Sequence, residues 1–327
     1  MPDDSRVLHG VQDGVAVLTV NEPEKMNPLR GGTYRVVEDR LGKIRGDDSI
    51  DGLVITFTGR YMAGANVPLL AKLICEGDGC GVQARSRTAI EAGLRLENSG
   101  KPVVFASAGE VKDDTPKGGE LYGGAFEMAM ACHGLVCAKN TKRAATLSEV
   151  RLGIVPGAAG ALRLIRRVYA WWIRKGVGHE KALQKAIEAS WRIRLAKPFS
   201  SDELLEHGIA SDVVPVADVL PRAIQLVHEL KAGTSGSLPL YTDPIPGFPE
   251  IFAPLPTDAP FSTQVDSVLQ MILALNGTND FSSSLVLQRI MWRMLVQCED
   301  AGIGLEHFIK HKGKGGPAPF VHLPKAE

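Results

Sequence analysis

Neither sign of charge is in excess in this sequence: 37 Lys and Arg stand against 37 Asp and Glu. A chain without a net field does not draw nucleic acid or an anionic membrane from a distance, so a polyanionic ligand must be met by a local cluster. No uninterrupted apolar stretch is long enough to span a bilayer. Asp3, Asp4 and Arg6 precede any apolar run, which does not fit a signal peptide. Cysteine is scarce and odd in number, five in 327 residues. Cys75 and Cys80 have no second pair downstream, so no metal site is expected, and Cys132 and Cys137 lie in an apolar run that suits buried thiols. Reduced thiols in a cytoplasm are the default for such usage. No internal repeat is present. What remains is the reading of a soluble, cytoplasmic globular protein, 44% hydrophobic and 23% charged, with residues enough for a sizeable core.

Strand and helix signals alternate through the first half. Val15 to Val20 is β-rich and ends at the turn Asn21-Glu22-Pro23. Helical spacing follows from about Thr33 to Ile44, then a buried strand from Gly52 to Phe57. A second cycle predicts a helix over 83–96 and a strand over 102–106; a third predicts a helix over 125–131 and a strand over 134–138. This alternation implies an α/β architecture with mostly parallel pairing. Residues 161–195 read as helical and unusually basic, with Arg163, Arg166, Arg167, Arg174 and Lys175. Residues 233–262 are rich in Pro, Gly and Ser and read as an irregular linker; a helix-rich segment closes the chain, and the tail Gly313 to Pro317 is expected to be mobile.

Three clusters carry candidate chemistry. Gly59 to Asn66 follows a strand, and its small residues allow close approach of a ligand to free backbone N–H groups; a plain strand-to-helix turn has the same composition. Gly123-Gly124 stands at a helix start, where N–H donors face a developing anion, with Glu127 just inside among apolar neighbours. A solvated first-turn glutamate complementing the helix dipole has the same pattern. Glu149 precedes a segment, Val150 to Gly160, dominated by small and apolar residues, and a helix-capping or loop carboxylate has the same pattern.

In this order the clusters resemble the crotonase (enoyl-CoA hydratase/isomerase) superfamily. The family's Pro-Glu-Lys-x-Asn-x-Leu segment is matched by Pro23 to Leu29, and its Phe-Ser-Ala-Gly-Ala-Asp motif by Tyr61 to Asn66. Its Gly-Gly-Gly-x-Glu-Leu-Ala-x-x-Cys-Asp is matched by Gly123 to His133, and its Pro-Glu-x-x-Leu-Gly-x-x-Pro-Gly-x-Gly-Gly by Ser148 to Gly160. The family's Gly-Leu-Val-x-x-Val-Val is similar to Gly208 to Val214.

The resemblance implies a crotonase (ClpP-like) ββα spiral core with a C-terminal helical region. The core would take 1–232, with insertions near 110–120 and 169–195; 233–262 would be the Pro-rich linker and 263–327 the helical region. It implies an oxyanion hole made by the N–H groups of Ala65 and Gly124, and acid/base catalysis by Glu127 and Glu149. It implies acyl-CoA contacts at Lys25, Met26, Asn27, Ala63, Gly64, Gly123, Pro156, Gly157, Phe308 and Lys310. Arg30 and Lys312 are further candidates for the CoA phosphates. The expected partner is an acyl-CoA thioester, with coenzyme A entering only as part of the substrate and no separate cofactor, and the expected assembly is a homotrimer or homohexamer. Neither nucleic acid nor membrane is an expected partner, the basic block at 163–175 being the one feature that would suit the former.

Both glutamates of the hydratase branch are in place, which favours reversible hydration of a 2-enoyl-CoA. Double-bond isomerisation, hydrolytic cleavage of a (cyclic) β-ketoacyl-CoA, and a non-catalytic CoA-binding scaffold stay open. Four departures keep them so. Asn66 replaces the family's Asp, an insertion from Glu110 to Glu120 interrupts the approach to Gly123, His133 replaces another Asp, and Glu127 and Glu149 are spaced more widely than usual. The insertion suits a pocket wall or a surface loop equally.

Overall fold

A computed structural model of the chain describes residues 6–64, 66–112 and 115–325. It falls into two compact units, one of residues 1–65, 91–146 and 198–239, the other of residues 66–90, 147–197 and 240–327.

The first unit is built on a six-stranded sheet. In spatial order its strands are β1 (Val7–Gln12), β2 (Val15–Val20), β3 (Gly52–Phe57), β5 (Val103–Ser107), β9 (Gly134–Ala138) and β11 (Asp212–Val214). Every pair except β1–β2 is parallel. The continuous apolar runs expected as strands are indeed buried throughout in β3, β5 and β9. Periodicity does not predict β1, because only Val7 of its six residues is buried. The signal that marks it is Asp13-Gly14, whose φ values of 49° and 72° form a two-residue hairpin turn. Helix α1 (Gly31–Arg45) buries Val36, Val37, Leu41 and Ile44 at helical spacing. Helix α8 (Val219–Ala232) contributes Val219, Ala223, Ile224, Leu226 and Val227 to a core cluster with Val15, Val54, Val104 and Val136.

A smaller, wholly parallel sheet lies in the same unit: β4 (Tyr61–Met62), β8 (Glu120–Tyr122) and β10 (Ala145–Thr146), with β8 in the middle. The insertion is an antiparallel hairpin of β6 (Glu110–Lys112) and β7 (Thr115–Lys117), on which Val111 is exposed. Helix α4 (Gly124–Ala129) follows β8 directly, and α7 (Ser201–Glu206) is opened by a reciprocal Ser200–Glu203 capping box.

The second unit is helical. It holds α2 (Val67–Cys75), the first part of α3 (Gly79–Glu97), α5 (Gly160–Arg174), α6 (His179–Arg194), α9 (Thr263–Thr278), α10 (Phe281–Trp292) and α11 (Glu299–Lys310). Within the basic block Arg163, Arg166 and Arg167 are all buried, while Arg174 and Lys175 are exposed. Arg166 is a hub for the irregular chain at 241–243 and for the C-terminal end of α9. Its Nη1 donates to the carbonyls of Tyr241, Thr242 and Asp243 at 3.2, 3.0 and 2.8 Å, and its Nη2 to those of Leu275 and Asn279 at 3.3 and 2.6 Å. Burial lowers its pKa to about 10, which still leaves it charged at neutral pH. Arg194 is likewise buried, forked onto Asp266 at 2.8 and 2.7 Å and stacked on Trp191 at 4.3 Å. Within the irregular linker, residues 241–243 are therefore held by the buried Arg166. The tail beyond Pro317 also packs: Phe320 is buried, and the buried Asp300 accepts from Ser262 Oγ (2.6 Å), Val321 N (2.7 Å) and His322 N (3.1 Å).

Candidate active site

Two parallel strands that run side by side deliver their C-terminal ends to the same place. Here β4 pairs with β8 in the register Tyr61↔Glu120 and Met62↔Leu121. The turns that follow them, Ala63-Gly64 and Gly123-Gly124, are therefore neighbours. Their approach is closer than any side chain allows. A Cβ built on Gly64 would overlap the amide nitrogen of Gly124 and lie 2.7 Å from its Cα and 3.2 Å from the carbonyl carbon of Gly123. Gly123 has φ 54° and ψ −125°, a conformation that glycine alone adopts readily. Gly124 takes the first helical position, whose N–H has no acceptor within the helix. Ala65, the other expected donor, lies outside the described residues.

The Gly64 turn is held from the N-terminal motif. Ala63 N donates to Met26 O at 2.7 Å, and Leu29 N donates to Gly64 O at 2.9 Å. Asn27, fully buried with φ 46°, ties the motif together. Its Oδ1 accepts from Glu22 N at 2.7 Å, and its Nδ2 donates to Thr58 O and Tyr61 O at 2.7 and 2.9 Å. The Asn27 side chain is thus a scaffold for the turn, while Met26 is exposed beside it. Lys25 Nζ and Arg30 Nη2 both reach the buried Glu22, at 2.6 and 3.2 Å. Burial raises the Glu22 pKa, but these two cations outweigh it and the net shift is downward. Lys25 and Arg30, two of the candidates for the CoA phosphates, are therefore partly neutralised by one carboxylate.

Glu127 sits in the first turn of α4 and is buried, between the buried Phe126 and Met128. Tyr34 of α1 senses it. Burial of the phenol and the charge of Glu127 both push the Tyr34 pKa upward. Sequence spacing marks Tyr34 only as one more helical residue, so its approach to this carboxylate is not legible there.

Glu149 belongs to the second unit and opens a 3-10 turn over Glu149–Leu152, where it is buried. The turn ends at Gly153, with φ 70°, where a Cβ would overlap the carbonyl of Asp300. The loop that follows is held by three side chains, none of which stands out in sequence. Trp292 Nε1 donates to Val155 O at 2.9 Å, Gln288 Nε2 to Pro156 O at 3.2 Å, and Ser86 Oγ to Gly157 O at 2.6 Å. Phe308 of α11 is half-buried, whereas Lys310 and Lys312 are exposed.

Two departures from the resemblance have local roles. Asn66 caps α2, its Oδ1 accepting from Leu69 N at 3.4 Å. His133 Nδ1 accepts the N–H of Val103 at 3.0 Å, which fixes that ring nitrogen as unprotonated. Among the described residues no group of three or more His, Cys, Asp or Glu is placed to hold a metal ion, and no helix is long and apolar enough to cross a membrane.

Comparison with known proteins bears on the same residues. The profile of the enoyl-CoA hydratase/isomerase family matches residues 10–242. The fatty acid oxidation complex subunit alpha of Idiomarina loihiensis is 30% identical over 234 residues, covering 69% of this chain and 28% of that protein. The chain thus matches less than a third of the length of this curated relative. Among solved structures, a carnitinyl-CoA dehydratase from Mycobacterium thermoresistibile superposes with a TM-score of 0.67 at 19% identity, covering 94% of this chain and 90% of that one. An enoyl-CoA hydratase from Rhodobacter sphaeroides gives 0.65 at 17% identity, covering 96% and 92%. At these identities the structures speak for the fold.

Proposed function

The chain belongs to the enoyl-CoA hydratase/isomerase family, and from that premise we propose that it binds an acyl-CoA thioester, stabilises its enolate and adds water to a 2-enoyl-CoA to give a 3-hydroxyacyl-CoA. The observation that supports this most is the main-chain contact between the Gly64 and Gly124 turns. An oxyanion hole needs two fixed donors about 2.7–3.1 Å from one oxygen, and backbone amides on adjoining turns are suited to that demand.

In this reading the amides of Ala65 and Gly124 receive the thioester oxygen. Water attacks the β-carbon, electron density moves onto that oxygen as the enolate forms, and collapse of the enolate takes up a proton at the α-carbon. Glu127 and Glu149 carry the protons, one removing a proton from water and the other delivering one to carbon. The sum is addition of H and OH across a double bond, with no oxidant or reductant required. Lys25, Arg30 and Lys310 are the proposed contacts for the CoA phosphates, and a homotrimer or homohexamer is the proposed assembly.

The test is a panel of thioesters given to the purified chain. A 2-enoyl-CoA should lose its conjugated absorption and yield 3-hydroxyacyl-CoA. No hydration of any 2-enoyl-CoA, with conversion of a 3-enoyl-CoA or cleavage of a cyclic β-ketoacyl-CoA instead, would move the activity to those reactions. Binding without any turnover would leave a CoA-binding scaffold.

A further inference from the structure

The strands that bring the two glycine turns together are very short: β4 has two residues and β8 has three. Ladders of that length contain few hydrogen bonds and define register weakly by themselves. A buried carboxylate spans them. Glu120, the first residue of β8, is 3% exposed. One of its oxygens accepts from Nη2 of Arg60, the residue just before β4, and the other from the hydroxyl of Tyr122, the residue just before Gly123. The main chain repeats the link, with Glu120 N donating to Arg60 O at 2.8 Å. The Arg60 guanidinium also lies over the Tyr61 ring at 5.0 Å, and the Tyr61 and Tyr122 rings are 6.3 Å apart.

A carboxylate is expensive to bury unless both oxygens are satisfied, and here both are, one of them by a cation. Removing either partner leaves part of that charge unmatched inside the protein. For Arg60 the Glu120 contact outweighs the burial that would lower its pKa, and the net shift is upward. Tyr122 stays a proton donor because burial and the adjoining Glu120 both raise its pKa. Arg60 and Tyr122 therefore both keep their protons across the neutral range.

From this geometry we infer that Glu120 is a positioning residue: with Arg60 and Tyr122 it locks the start of β4 to both ends of β8 and so sets where the Gly64 and Gly123-Gly124 turns meet. It lies outside the matched motifs, at the end of the segment where the chain departs from the family pattern. The inference rests on the oxyanion reading of those turns. Donors must be held to within about 0.5 Å of the productive geometry, and a misplacement of about 1 Å is enough to lower a rate about 100-fold.

Acetoacetyl-CoA separates positioning from general stability, because its bound enolate absorbs in the ultraviolet and needs no turnover. Wild type should bind it with an enhanced enolate band. Glu120→Gln should bind with nearly the same Kd, lose most of the band, and hydrate a 2-enoyl-CoA with kcat lowered about 10- to 100-fold and KM little changed. Tyr122→Phe removes one of the two bonds and should fall between the two proteins. It is also the variant to use if Glu120→Gln does not fold. A band of equal strength in wild type and in every folded variant overturns the inference while leaving the function intact. So does a loss of kcat matched by an equal loss of binding. Absence of the band and of turnover in wild type overturns the functional reading, and the inference with it.

Discussion

Replacing Gly64 by alanine adds one methyl group at the place where the two turns touch. The new Cβ would overlap Gly124 N and sit 2.7 Å from Gly124 Cα, against 3.4 Å or more for ordinary contact. The obstacle is backbone, so no rotamer change relieves it. The turns must separate by at least about 0.7 Å, the shortfall at Cα, and by more at the nearer amide nitrogen. A shift of that size approaches the ~1 Å at which a rate falls about 100-fold, and full loss of one oxyanion donor costs about 3 kcal/mol of transition-state stabilisation. Overpacking should also lower stability by about 1–3 kcal/mol. Steady-state hydration of a 2-enoyl-CoA, read beside a denaturant melt, tests both. The expected Gly64→Ala protein is folded and loses kcat about 30- to 300-fold, with a smaller change in KM. A folded variant with wild-type kcat would refute the claim that these turns hold the reacting oxygen.

Other perturbations have equally definite outcomes. Glu127→Gln and Glu149→Gln should each lower kcat by about 100-fold or more while acyl-CoA binding measured by calorimetry persists; normal turnover by either removes that residue from proton transfer. Asp300 has its pKa lowered on balance, since burial raises it but Ser262 and the amides of Val321 and His322 outweigh that. A depressed carboxylate adds stability above its unfolded value of about 3.9 and loses it as pH falls through the folded value. Proteolysis of the tail should therefore accelerate only below about pH 4 in wild type, and already at neutral pH in Asp300→Asn. Equal protection of both proteins at pH 7 would contradict this. Arg166→Ala should lower stability by about 3–5 kcal/mol in a denaturant melt, because the carbonyls it serves lose their donor inside the protein; a change under 1 kcal/mol would mean that water takes its place.

Much of this was legible in the residues, and the reasons are physical. The strands β3, β5 and β9 are buried on both faces, so each stands out as a short continuous apolar run. The exposed edge strand β1 carries no such run, although Asp13-Gly14 signals its hairpin. Glycine motifs mark the two turns, but their meeting depends on β4 and β8, which are too short for any periodicity. Glu120 is hidden for the same reason: in sequence it closes a charged insertion, and only the fold buries it. The basic residues of α5 do not announce their partners either: Arg166 serves the carbonyls of a segment some 75 positions away. Long-range partners such as Gln288 and Trp292 have no local signature, because what selects them is a main-chain carbonyl and not a side-chain motif.

A crystal structure with acetoacetyl-CoA would test the central claim most directly. The thioester oxygen should lie within about 2.7–3.1 Å of Gly124 N, with a second backbone amide from the Gly64 turn at a similar distance. Finding that oxygen away from both turns would contradict the account.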